Sequence, residues 1–469
     1  MERRSGAKGN AEQPHMRRTQ SRESMSQRLS RVREAAKQRK KERFTALFHL
    51  LTAEALENAF LSLSRKAAAG VDGVRWKDYA ENLKVNIADL HRRLHQGSYR
   101  AQPGRRHYIP KADGKQRPLG IASLEDKIVQ YALVKILNAV YENDFMGFSY
   151  GFRPGRSQHN ALDALATGLV RTNVNWVLDA DISQFFDKVS HEWLIRFIEH
   201  RIGDQRVIRL IRKWLTAGTS EEGEWRASEE GTPQGAVISP LLANIYLHYV
   251  FDLWAHQWRR RHATGNVVMV RYADDIVIGF DKRIDAQCFR IAMQRRLKEF
   301  GLTVHPKKTR LMEFGRFAAE NRASRGKGKP ETFNFLGFTH ISGKDRSGRF
   351  MLIRKTRRDR MTATLKAIKD GLRKRWHYSI PEQGKWLRRV VQGYLNYHSV
   401  PGNYPMMRKF RIYVTDLWRR ALRRRSQQDD TTWTKANRLA AVWLPKVRVL
   451  HPWPVERFTA RHPRQEPGA

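Results

Sequence analysis

The chain has 469 residues, in which 89 Lys and Arg outweigh 46 Asp and Glu to give a formal net charge of +43. Such an excess calls for a polyanionic partner, nucleic acid first, while a hydrophobic content of 41% excludes a chain disordered throughout. A single cysteine, Cys288, excludes an internal disulfide and a cysteine-ligated zinc site, and the sequence shows neither an 18-residue apolar run nor an apolar stretch behind Met1. A cytoplasmic protein of two or three domains, with no membrane span, is therefore expected.

Residues 1–43 are polar and rich in Arg, Ser and Gln, and read as a flexible or partly helical basic arm. From Phe44 to Leu63 the residues Leu47, Leu50, Leu51, Ala55, Leu56, Phe60 and Leu63 recur at helical spacing, and Gly70-Val71-Asp72-Gly73 breaks the chain before a second helical stretch, Trp76–His95. Residues 105–121 read as two strands joined at Asp113-Gly114. Lys111, Lys115 and Arg117 cluster there; two on one face would grip a triphosphate, and solvated surface charge is the plainer alternative. Asp126–Tyr141 reads as a helix, and Gly151-Phe152-Arg153-Pro154-Gly155 lies in a loop that mixes arginines with aromatics.

The segment Trp176–Asp187 reads as a strand ending in acids. Asp179 and Asp181 alternate onto one face, and Asp187 is the expected cap of the helix that begins near His191. In Gly231-Thr232-Pro233-Gln234-Gly235 the glycines would let backbone approach a ligand, and Ser239-Pro240 reads as an N-cap followed by an N1 proline. Val267–Phe280 reads as a tight hairpin with Asp274 and Asp275 at its tip. Carboxylates among apolar strands are costly unless a cation pairs with them, whereas an Asp-Asp turn facing water costs nothing; the residues alone leave both open. If the 176–181 strand lies beside this hairpin, Asp181 is best placed to meet its carboxylates. A helix over Ala286–Phe300, the lysine pair Lys307-Lys308 and the apolar piece Phe333–Phe338 follow. Beyond Arg354 the pattern turns helical and basic, with helices expected around Met361–Leu372, over Lys385–His398 and over Met406–Arg425.

Taken in order, these motifs resemble the reverse transcriptases encoded by bacterial group II introns, also called maturases. Arg271-Tyr272-Ala273-Asp274-Asp275 is similar to their catalytic turn. Asp179-Ala180-Asp181-Ile182 with Phe185-Phe186-Asp187 is similar to their first catalytic-aspartate motif. Gly231–Gly235 with Ser239-Pro240-Leu241 resembles their template-contacting loop, and Phe335-Leu336-Gly337-Phe338 their primer grip. Gly393–His398 and Pro401-Gly402-Asn403 resemble part of the maturase or thumb domain, so the likeness spans roughly 45–460.

The resemblance implies an α+β right-hand polymerase, with fingers and a palm on antiparallel sheet, followed by an all-helical thumb. The expected division is an arm (1–43), N-terminal extension and fingers (44–178), palm (179–345), thumb (355–445) and C-terminal tail (446–469). It further implies two Mg²⁺ ions on Asp181, Asp274 and Asp275, triphosphate contacts from Lys111 and Arg117, and Phe186 as the gate against a 2′-hydroxyl. Gln234 would lie near the template–nucleotide pair, and Lys308, or equally Lys307, near the leaving pyrophosphate. The implied partners are a group II intron RNA, an RNA template with a DNA primer, dNTPs and target DNA, with association with the nucleoid during insertion. No cysteine pair of the kind found in the family's nuclease domain occurs, so second-strand cleavage is not expected. A splicing cofactor without polymerase activity, and a reverse transcriptase adopted for host defence or repair, are the alternatives; oligomeric state is left open.

Overall fold

The computed structural model describes residues 24–110, 116–425 and 431–461. The first described element is a helix, Met25–Gln38, opened by a capping box between Ser24 and Gln27. It docks against the helix Leu124–Tyr141, and Ala36 is fully buried, so this part of the expected basic arm is ordered structure. Arg201 holds the chain that follows: its guanidinium donates to the carbonyls of Arg39 and Glu42 and pairs with Asp144. The single helix expected over Phe44–Leu63 is instead a short 3-10 turn, Phe48–Leu50, and a helix, Ala53–Ser62. The next helical stretch is broken at Asn82 into Trp76–Glu81 and Leu83–Gln96.

Strands β1 (Gly104–Pro110) and β2 (Gln116–Ile121) pair antiparallel, with Ile109 opposite Arg117. The expected turn at Asp113-Gly114, with Lys111 and Lys115, lies outside the described residues. After the helices Leu124–Tyr141 and Gln158–Arg171 comes β3 (Trp176–Asp181), followed by helices His191–Arg201 and Gln205–Thr216. The short strands β4 (Thr219–Glu221) and β5 (Glu224–Arg226) join the first sheet in the order β2-β1-β4-β5, and β1 and β4 run parallel, an exception to the antiparallel sheet expected.

A second sheet, in the order β6-β7-β3-β8, is built from the hairpin β6 (Val267–Tyr272) and β7 (Asp275–Phe280), the earlier β3, and β8 (Arg310–Glu313). Away from the acids at their cleft ends, its two central strands are apolar on both faces. Ile276, Ile278 and Leu178 enter the large core formed with the N-terminal helices, while Val277 and Val177 pack with Leu165, Phe314 and Phe338 on the other face. This double burial explains the unbroken run Ile-Val-Ile-Gly-Phe, in which strand alternation is invisible. The helix behind the hairpin is Arg283–Glu299.

A third sheet, β9 (Phe333–Phe335), β10 (Phe338–Lys344) and β11 (Phe350–Thr356), leads into a helical unit with its own core. Its helices are Arg358–Arg373, Ile380–His398, Tyr404–Arg423 and Trp433–Trp443. A last helix, Pro454–Arg461, lies in what the sequence suggests is tail and packs on Gln158–Arg171. No helix among the described residues is long and apolar enough to cross a membrane.

Candidate active site

The β6–β7 turn is built to hold acids at a sheet end. Tyr272 and Asp275 pair across it, and Ala273 takes a left-handed φ of +56° that a non-glycine residue adopts only under constraint. The constraint comes from Arg271, which is fully buried. Its guanidinium binds Asp252 through Nε at 2.7 Å and Nη2 at 2.5 Å, the Asn244 side chain at 3.2 Å, the Ser149 hydroxyl at 2.7 Å and the Ala273 carbonyl at 3.0 Å. Five fixed bonds to one planar fork leave the turn little freedom. A π-type turn, His248–Asp252, continues the helix Ser239–Leu247 and brings Asp252 to this arginine. None of these partners carries a local sequence signal, which is why the sequence reading missed the network.

β3 lies between β7 and β8, and its register sets Asp181 directly opposite Asp275. The carboxylates expected to meet do stand together, with Asp274 in the adjoining turn. The segment after the 283–299 helix is drawn to the same place: Ser183 donates its N–H to the Thr303 carbonyl, and His305 donates to the Asp181 carbonyl at 2.7 Å. Lys308 Nζ therefore reaches Asp181 Oδ2 at 2.9 Å. A cleft of about 720 Å³ opens here, and Arg117, Asp179, Asp181, Asp275, Lys307, Lys308, Arg310, Arg357 and Arg360 supply its charged lining. Arg310, Arg357 and Arg360 come from β8 and the start of the helical unit and were not among the expected site residues.

Electrostatics in the cleft favour an incoming cation beside the acids. Asp275 reaches the open cleft, yet restricted hydration, then Asp274 and Asp181, push its carboxyl up to about 7. Asp274 is raised by desolvation first and by Asp181, against the pull of Arg117 and Lys308. Asp179 is pushed to about 7 by burial and by Asp275. Crowded carboxylates of this kind are relieved by a hard divalent ion. Among the described residues no group of three or more acidic, histidine or cysteine side chains forms a ready metal cage. Magnesium sites use one or two carboxylates and let substrate phosphates complete the shell, so this donor set fits such an ion.

The remaining expected residues lie in the loops beside this cleft or outside the described residues. Phe186 is half-buried against Phe185, with ring centroids 5.3 Å apart, and its carbonyl accepts the Thr232 N–H. Gln234 donates from Nε2 to Asp187 Oδ1 at 2.8 Å, and its carbonyl accepts the Gly120 N–H of β2. Phe186 and Gln234 are thus brought into one loop cluster outside the cleft wall. Lys111 lies outside the described residues. Two capping expectations are corrected. Ser190, not Asp187, caps the helix His191–Arg201, because Asp187 is turned toward Gln234. The cap position before Ser239–Leu247 is Ile238, because the Ser239 hydroxyl donates to the Pro233 carbonyl and so closes the glycine loop.

The Phe335–Phe338 motif forms the β9–β10 turn, with Leu336 at φ +45° and Gly337 at φ +81°. The Tyr397 hydroxyl, from the helical unit, donates to the Leu336 carbonyl at 2.8 Å.

Residues 109–340 match the family described as reverse transcriptase (RNA-dependent DNA polymerase). The chain is similar to the protein YkfC of Escherichia coli, 43% identical over 206 residues that cover 43% of this chain and 54% of that protein. It is similar to the group II intron-encoded protein LtrA of Lactococcus lactis, 37% identical over 223 residues, 47% of this chain and 37% of that one. Nuclear intron maturase 2, mitochondrial, of Arabidopsis thaliana shares 29% identity over 110 residues, 23% of this chain and 15% of that protein. The matches to YkfC and LtrA thus span about half and about a third of those relatives' lengths.

Proposed function

We propose that the chain is a reverse transcriptase of the group II intron-encoded kind, which copies RNA into DNA and binds its intron RNA to assist splicing and mobility. The carrying observation is the register of β3 against β7, which sets Asp181 opposite Asp275 with Asp274 in the next turn, at the floor of a basic cleft. Asp181, Asp274 and Asp275 would hold Mg²⁺. When bound, that ion polarises the phosphoryl oxygens and lowers the pKa of a coordinated hydroxyl.

The residues of the chain bind and orient the reactants. In the reaction proposed, the primer 3′-oxygen forms a bond to the α-phosphorus of a dNTP, the α–β phosphoanhydride breaks, and the hydroxyl proton leaves with pyrophosphate as the product. Arg117, with Lys111, neutralises the triphosphate. Lys308, held on Asp181, is positioned to shift its ammonium onto the developing charge of the leaving group. Phe186 closes the space of a 2′-hydroxyl, and Gln234 backs the template–nucleotide pair. Fingers, palm and thumb correspond in this reading to the first sheet with the N-terminal helices, the second sheet, and the helical unit after β11. The basic helices 358–443 support the role in intron RNA binding.

The test is primer extension on an RNA template with dNTPs and Mg²⁺. The wild type should extend, and Asp274→Asn should abolish extension while RNA affinity stays within about twofold, because the substitution removes no phosphate contact. Tight RNA binding with no extension by either protein would replace this reading with that of a splicing cofactor.

A further inference from the structure

At the far end of the hairpin from the acidic turn lies a second cavity, of about 470 Å³, lined by Thr172, His256, Arg259, Arg260, Gly265, Asn266, Val267 and Val268. The strand β6 separates it from the catalytic turn by roughly 17 Å, the five steps of about 3.3 Å between its six residues, so it is not part of the cleft. β6 is an edge strand. At its Arg271 end the free edge is covered by Phe148–Tyr150, since Arg271 donates to the Phe148 carbonyl and accepts from the Tyr150 N–H. The Asn266–Val268 end lies at the cavity.

Asp285 accepts the Gly265 N–H at 3.0 Å and Asp281 stands beside Gly265 at one border of the recess. The lining includes no carboxylate. Arg259 is half-buried, and its Nη2 lies 3.4 Å from His256 Nδ1. Among the described residues no acid pairs with Arg259 or Arg260, whereas the half-buried Arg93 and Arg419 each sit on a carboxylate. A favourable helix-terminus dipole explains one cation in the last turn of Leu253–Arg261. It does not explain two guanidinium groups and an imidazole gathered on a recess that also offers the Asn266 amide. Arg259, half-buried with His256 beside it, and the exposed Arg260 face a polar recess without an acid partner, and such guanidinium groups are suited to a phosphate. The apolar part of the lining is Val267 and Val268, with no ring to stack a base, so the site suits the sugar-phosphate backbone and not a nucleobase.

We propose that this recess is a second phosphate site, which takes the backbone of a nucleic-acid strand running along the outer edge of the β6-β7-β3-β8 sheet, away from the catalytic cleft. The nature of the strand rests on the polymerase reading; the chemistry of the site does not. The experiment compares the full chain with Arg259→Gln/Arg260→Gln and with a control of equal charge loss, Arg295→Gln/Lys298→Gln, on the exposed side of the helix 283–299. Binding of a structured RNA is titrated over salt, and extension of a short primer–template is assayed in parallel. The recess variant should lose about tenfold in RNA affinity, and its slope of log affinity against log salt should fall by about one to two phosphate contacts, well beyond the control. Short-template extension should be unchanged.

Phenylglyoxal labelling of Arg259, read by mass spectrometry, should be suppressed by the RNA. Equal losses in the two double variants, or no loss, would overturn the proposal. Labelling blocked by inorganic phosphate but not by RNA would also overturn it, making the recess a site for a free anion. Absence of primer extension by the wild type would count against the polymerase reading alone, because the binding arms do not depend on it.

Discussion

At the residue scale, Arg271 governs the acidic turn more than the acids themselves do. Both it and Asp252 are excluded from water, and removing one partner of such a pair leaves the other charged and unpaired, at a cost of about 3–5 kcal/mol. Arg271→Ala is therefore expected to lower unfolding free energy by that amount in urea titrations, whereas Asp274→Asn, which relieves repulsion between crowded carboxylates, should leave it unchanged or higher. The buried imidazoles carry a pH prediction. His340 is held down to about 3 by burial and then by Arg354, and its ring stacks on Phe333 at 4.7 Å. His248 is held down to about 4, again chiefly by burial. Their folded values lie below the unfolded value of about 6.5, so the unfolded chain takes up more protons as acid is added. Stability from each is complete above about pH 6.5 and is lost as pH falls toward the folded value, by about 1.4 kcal/mol per unit. Asp179 and Asp275, raised to about 7, act in the opposite sense. The clean measurement is a difference: His340→Phe keeps the stack and should flatten the slope of stability against pH between about 6.5 and 4.5 by close to one proton.

At the scale of elements, the β6–β7 turn rests on a backbone contact that only glycine permits. A Cβ on Gly151 would lie 2.3 Å from the Ala273 nitrogen and 2.9 Å from the Tyr272 carbonyl carbon, both rigid backbone atoms. The Asn244 side chain adds to this contact by donating to the Gly151 carbonyl. Gly151→Ala is expected to push the turn outward. A shift of about 1 Å at reacting groups costs on the order of a hundredfold in rate, while the fold loses about 1–3 kcal/mol. Extension assays beside melting curves would separate the two, and full activity in this variant would mean that the turn tolerates displacement. The loop Gly151–Gly155 is thus a structural support for the turn. Arg153 is buried and spent on Glu142 and on the carbonyls of Met146 and Ser149.

At the scale of the molecule, the last helix closes the chain back onto its middle. Arg457 pairs with Asp163 of the helix 158–171, Arg354 of β11 lies 3.6 Å from the same carboxylate, and His451 stacks on His159 at 4.0 Å while contacting the Asn396 carbonyl. One buried carboxylate thereby ties the third sheet, the long helix beside the second sheet and the C-terminal helix together. Arg457→Ala should release the last element before the rest. If the pair contributes about 3 kcal/mol there, amide exchange in Pro454–Arg461 should accelerate by roughly a hundredfold with little change in the core of the second sheet.

The sequence by itself determined the local pieces. The hairpin around Asp274 and Asp275, the strand ending at Asp181, the helix near 126–141 and the basic helices after 354 all follow from periodicity and turn chemistry acting over a few residues, and the order of the motifs carried the family resemblance. Tertiary structure decided what the acids face. The opposition of Asp181 and Asp275 depends on a strand register between segments about ninety residues apart, and Lys308 reaches Asp181 because backbone bonds at Ser183 and His305 draw its segment in. The same holds for Arg271 with Asp252, for Gly151 beneath the turn, and for the capping roles that passed from Asp187 to Ser190 and from Ser239 to Ile238. In each case the choice was made by a hydrogen-bond or packing partner distant in sequence, or by a competing bond in a neighbouring loop. A side chain's own sequence neighbourhood does not encode that partner.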